Sequence, residues 1–331
     1  MATREIPLPT PRFGPVWRVI QAAGVVAVGA IIILLFAAPE PTLAWTWNVV
    51  VPVLPATFLL TPAIWRNACP LATLNEIPTH LGRRGRHPSR AMASGALAVI
   101  ALFVLVPARR AVLNASGEAL AGVLIALGLL ALVLGSLFAA RSGFCNGVCP
   151  VLPVERLYGQ HPLIELRGSR CASCTFCTPA GCIDLARGKA MVQMLGRSRH
   201  TPRWLLTPMG VFATAFPGLI LGYFVTPDAT GFGVGALVRV LAFAAASYVA
   251  LGAILALTRV RATLALTLLG GLSFALYYWF AAPGFAGQLG LGRVAADSVR
   301  AAAGVLLTVW LVRAGTWRPS GRRDATGSPG R

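Results

Sequence analysis

The sequence predicts an all-α membrane protein with about eight transmembrane helices, and three observations carry that prediction. Of 331 residues, 56% are hydrophobic and only 12% are charged, against about 25% charged in a typical soluble domain. Mean hydropathy is +0.72. Apolar runs near 20 residues, the length that crosses about 30 Å of hydrocarbon, recur along the chain. A soluble globular fold could not hide so much apolar surface. A disordered chain would be poor in apolar residues. Seven cysteines spread over this length do not make a small disulfide scaffold.

The runs fall at 16–38, 44–65, 91–107, 118–140, 204–225, 235–258, 262–282 and 297–314. The first has an apolar stretch too long for a cleaved signal peptide and reads as an anchor. The second is the weakest, because Pro52, Pro55 and Pro62 interrupt it; prolines are tolerated in spans when neighbours satisfy the freed carbonyls.

Charge sets the orientation. Lys+Arg is 29 against 10 Asp+Glu, a net charge of +19. With the N-terminus inside, 24 of the 29 basic residues fall on the inner side and five, Arg109, Arg110, Arg239, Arg293 and Arg300, on the outer. That is the positive-inside bias. It accounts for the charge without a nucleic-acid partner and predicts a multi-pass protein of a bacterial cytoplasmic (inner) membrane with both termini cytoplasmic. The expected organisation is a four-span membrane domain at 1–140, a cytoplasmic loop at 141–203, a second four-span domain at 204–316 and a disordered tail at 317–331.

All ten acidic residues, Glu155 among them, fall in loops or at span ends on this reading. Buried carboxylates mark ion-coupled transport, so such a transporter is not expected. His80, His87, His161 and His200 all fall in inner loops and read as solvated. A b-type haem, which needs histidines within spans, is excluded.

The cysteines carry the chemistry. Cys171, Cys174, Cys177 and Cys182 are spaced C-x2-C-x2-C-x4-C. Three thiolates at two-residue intervals wrap three irons of one cubane, and a further cysteine completes it. Structural zinc prefers two C-x2-C pairs separated by a longer loop and is the competing metal. The run predicts one [4Fe–4S] cluster in a small ferredoxin-like loop domain on the cytoplasmic side. Cys182 is the favoured fourth ligand and Cys149 the runner-up.

Cys69, Cys145 and Cys149 stand in a sequence echo. Trp65-Arg66-Asn67-Ala68-Cys69-Pro70 closes the second run, and Phe144-Cys145-Asn146-Gly147-Val148-Cys149-Pro150 follows the fourth. Proline suits the first position of a helix, and a helix N-terminus favours a thiolate, so Cys69 and Cys149 are expected at inner span ends as activated thiols. The three sulfurs are expected to converge within about 4–7 Å, near the separations that allow bridging, as a second metal site or redox dithiol.

Residues 45–190 resemble the NapH/NosR/CcoG group of membrane polyferredoxins. Cys145-x3-Cys149-Pro150 and the Cys171, Cys174, Cys177 triplet carry the likeness. Trp65 stands where that group has a cysteine, one ferredoxin run stands where it usually has two, and the last four spans hold neither Cys nor His. The resemblance implies electron transfer between a soluble carrier or redox enzyme on the cytoplasmic side and a membrane acceptor, a quinone or a membrane complex. The alternatives from the residues are an accessory or assembly factor handling a soft metal such as copper at the cysteine trio, and a zinc-stapled membrane adaptor without redox chemistry.

Overall fold

The computed structural model describes residues 14–83, 85, 86, 89, 92, 94–138, 142–164, 195, 201–229 and 233–316. Among them every regular element is helical, and one isolated bridge joins Arg86 to Phe138. Eight helical segments are long and apolar enough to cross a membrane, at Pro15–Ala37, Pro39–Leu60, Ala96–Leu113, Gly117–Leu137, Pro208–Val225, Val234–Thr258, Ala262–Gln288 and Arg293–Gly315. The predicted multi-pass architecture is therefore present, with each span close to its predicted run. Val26, Val249 and Leu257 are 72%, 68% and 83% exposed, as side chains facing lipid rather than water would be.

In chain order the helices are α1 (Gly14–Ala37), α2 (Pro39–Trp45), α3 (Val51–Leu60), α4 (Pro62–Ala68), α5 (Pro70–His80), α6 (Ala96–Ala108), α7 (Gly117–Leu137), α8 (Leu152–Tyr158), α9 (Pro208–Val225), α10 (Val234–Thr258), α11 (Ala262–Gln288) and α12 (Arg293–Thr316). π turns fill Thr46–Val50, Arg109–Leu113 and Phe144–Val148. Local signals start the regular helices. Ser116 accepts from the Ala119 amide ahead of α7, and Thr207 accepts from the Gly210 amide with Pro208 behind it at the head of α9, two N-caps of the favoured kind. Helix α9 is the central post, with Phe212, Phe216, Leu219 and Ile220 all in the core. It packs closely on α10 because Gly218 leaves room for the Phe243 carbonyl.

The second predicted run is not one rod, and its cysteine does not lie at a span end. Asn48 lies beside Gly284, and the Tyr278 hydroxyl donates to the Pro52 carbonyl at 2.6 Å while accepting from the Ala56 amide at 3.1 Å. A hydroxyl thus sits inside the helical ladder, an identifiable cause of a bend. At Thr61 the chain becomes extended (φ −165°, ψ 113°) ahead of Pro62, as the residue before proline tends to be. The carbonyls of Leu59 and Leu60, freed by that break, accept from the amides of Leu163 and Ile164 at 3.0 and 2.8 Å. A second break follows at Cys69. A Cβ on Gly24, near the middle of α1, would stand 3.0 Å from the Ala68 carbonyl oxygen. Helix α5 then runs beside α7, with Leu74 next to Gly128 and Asn75 against Gly135, and the Arg86 amide donates to the Leu137 carbonyl beyond its end. Cys69 therefore lies between two residues that meet the middle of α1, because extended residues before Pro62 and Pro70 break the helix twice.

Residues 142–164 enter the bundle too. Gly143 lies against Leu134 and Phe138 at the end of α7, whereas Leu157 touches Gly270 and the Tyr158 ring is 5.7 Å from Phe274. Trp310, fully buried, donates its indole N–H to the Tyr158 carbonyl at 3.0 Å. This segment is thus packed into the helical bundle, where protein encloses its irregular backbone.

Candidate functional site: a cysteine pair on two broken helices

The sequence echo has a backbone counterpart. Cys69 has φ −61° and ψ 123°, and Cys149 has φ −55° and ψ 120°, the extended conformation that a following proline imposes. The Cys69 amide donates to the Trp65 carbonyl at 2.7 Å, and the Cys149 amide donates to the Phe144 carbonyl at 2.9 Å. The second bond spans one residue more, and the π turn at Phe144–Val148 takes up that residue. Trp65 and Phe144 thus hold equivalent places as acceptors. Cys69 is the N-cap of α5, and its carbonyl accepts from the Thr73 amide at 3.1 Å. Cys149 instead leads through a turn into α8, whose N-cap is Val151, and its carbonyl accepts from the Leu152 amide at 3.1 Å.

An ion pair ties the two halves together. Arg66 donates from Nε to Glu155 Oε1 at 2.9 Å and from Nη2 to Asn146 Oδ1 at 2.9 Å. All three residues are at least 95% buried. A buried pair keeps its charges only when hydrogen bonds compensate their desolvation, and the Asn146 carbonyl supplies one. Glu155, expected in a loop or at a span end, is instead buried in the bundle, so the chain does not lack buried carboxylates.

Cys69 and Cys149 are electrostatic neighbours, and the Cys149 thiol is pushed up to about 12. Burial is the main cause, and Cys69 and Glu155 add to it. The amides of Val151 and Leu152 pull the other way. The helix N-terminus thus acts in the expected direction and is outweighed by burial. The Cys145 Sγ lies 3.7 Å from Asn75 Oδ1. Asn75 is fully buried and donates to the Ala131 carbonyl of α7 at 2.9 Å. Among the described residues no group of three or more His, Cys, Asp and Glu side chains is gathered to hold a metal ion, and Cys69, Cys145 and Cys149 form no disulfide.

His161, expected to be solvated, is half-buried, with its ring centroid 6.0 Å from that of Trp310. Burial, and then Arg313, lower it to about 4. His80 is exposed as expected. Cys171, Cys174, Cys177 and Cys182, with His87 and His200, lie outside the described residues.

Sequence reasoning missed Arg66, Asn75, Asn146 and Glu155. The available signal was weak. Arg66 directly precedes the first Asn-x-Cys-Pro, and Glu155 interrupts the short apolar stretch after the second Cys-Pro. No known protein family matches the chain, and neither a curated protein nor a solved structure matches it.

Proposed function

We propose that this multi-pass membrane protein transfers electrons, with one [4Fe–4S] cluster held by Cys171, Cys174, Cys177 and Cys182 in the segment that follows α8. The observation that carries this reading is the C-x2-C-x2-C-x4-C spacing, which suits a cubane better than tetrahedral zinc. The cluster would supply one-electron steps. The cysteine pair supports the reading from the membrane side. Cys69 and Cys149 are electrostatic neighbours, ahead of a segment whose Val151 and Val154 line an apolar cavity with Leu102, Phe216 and Tyr277. On this proposal a soluble carrier or redox enzyme on the cytoplasmic side of a bacterial inner membrane exchanges electrons with the loop, and a quinone or a membrane complex is the acceptor.

The test is anaerobic purification of the full chain with iron, acid-labile sulfide and EPR analysis. About four irons per chain, and loss of both visible absorbance and reduced EPR signal in Cys174→Ser, are expected. Zinc without sulfide would replace the proposal with a structural adaptor. Reporter fusions after Gly14 and Arg318 should both read cytoplasm, and one after Asp228 the opposite side.

The neighbouring thiols favour a second reading, an accessory factor that handles a soft metal such as Cu(I), since thiolates select soft ions. Copper that co-purifies with the chain and is lost in Cys69→Ser or Cys149→Ser would support it over electron transfer alone.

A further inference from the structure

A separate cavity of about 440 Å³ opens at the end of the bundle that carries Asp228. Two of the π turns, Thr46–Val50 and Arg109–Leu113, form its walls. Such turns interrupt the regular ladder and recur at functional sites. Here they bring Trp47 and Arg109 together. The Arg109 guanidinium carbon lies 3.8 Å from the Trp47 ring centroid and 4.5 Å from that of Tyr223. The guanidinium thus lies close to two aromatic rings, and its Nε is buried with no hydrogen-bond partner among the described residues.

The neighbouring charges are already engaged. Arg110 donates from Nε to the Tyr223 carbonyl at 2.7 Å and pairs with Asp228 at 3.0 Å. The second Asp228 oxygen accepts from Asn114 at 2.7 Å. Glu40 lines the cavity but is exposed, and among the described residues it makes no ion pair with Arg109. Arg109 is thus a cation with donors to spare, near the end of a candidate membrane span, where an ionisable side chain marks function.

Beneath it the cavity gives way to an apolar one of about 150 Å³, which shares Arg109, Tyr223, Phe224 and Tyr277 and extends to Leu219. A neutral ligand would leave the cation uncompensated where desolvated charge is costly. An oxyanion fits the open edge of a guanidinium through paired charge-assisted bonds. The geometry points to a binding site for an anionic amphiphile, its carboxylate or phosphate on Arg109 and its apolar part directed toward Phe224 and Leu219. A free fatty acid and an anionic phospholipid share this chemistry.

The experiment uses the full chain in phosphatidylcholine nanodiscs, with labelled oleate as the probe. Saturable binding is expected, weakened about tenfold or more, roughly 1.4 kcal/mol, in Arg109→Gln. It should be kept in Arg300→Gln, which alters a different arginine on a different ring, that of Trp279. Competition by lysophosphatidylglycerol stronger than by unlabelled oleate would assign the site to phospholipid, and the reverse order to fatty acid. Equal competition by a neutral long-chain alcohol, or undiminished binding in Arg109→Gln, would overturn the proposal. A photoreactive fatty acid on the unaltered chain guards against a misfolded variant. Its adducts should fall on peptides containing Trp47, Tyr223 or Tyr277, and adducts confined to other helices would also overturn it.

Discussion

Arg66 and Glu155, 89 residues apart in the chain, meet at 2.9 Å inside the bundle and join the two Cys-Pro breaks. Removing one partner strands the other charge in a low-dielectric site, which costs about 3–5 kcal/mol, whereas replacing both with apolar residues costs far less. Arg66→Met and Glu155→Leu should each lower the unfolding midpoint in detergent strongly, and the double variant should recover most of the loss. Additive losses would show that the two side chains do not interact.

The contact between α5 and α7 depends on a missing side chain. A Cβ on Gly135 would collide with the Asn75 carbonyl, and overpacking of this kind costs about 1–3 kcal/mol. Gly135→Ala should lower thermal stability, while Gly122→Ala, with open space around it, should not. Equal midpoints for the two variants would mean that α5 does not lie against α7.

Tyr278 repairs the ladder of α3 through its hydroxyl alone. Tyr278→Phe keeps the ring and leaves the hydroxyl's two backbone partners unsatisfied, a loss of about 1–3 kcal/mol. Calorimetry of the purified variant should show the drop. An unchanged midpoint would mean that the Pro52 carbonyl and Ala56 amide satisfy each other directly.

The His161 prediction concerns acid. Its folded value is lowered to about 4 from 6.5, so between those values the unfolded chain binds a proton that the folded chain does not. Stability contributed by neutral His161 is then complete above about pH 6.5 and falls as pH drops toward 4. The loss is on the order of 1–3 kcal/mol once partial exposure is allowed for. Unfolding midpoints measured from pH 7 to 4 should fall less steeply in His161→Phe than in the unaltered chain, and parallel curves would remove His161 from the acid response.

The sequence by itself determined the membrane class, the eight spans and the Cys-Pro echo. Each rests on local information. Twenty apolar residues in a row need a bilayer whatever their neighbours, and a proline constrains the residue before it in any fold. Only the tertiary structure decided that the backbone on either side of Cys69 meets Gly24, that Glu155 is buried on Arg66, that Cys145 lies near Asn75, and that Arg109 lies near the rings of Trp47 and Tyr223. These are meetings between residues far apart in the chain. Their energies come from desolvation and from the partners that offset it, and no window of sequence contains both members. The Cys149 thiol shows the difference within one residue. The helix start that follows it was legible and lowers its pKa, but the protein packed around it raises the pKa by more.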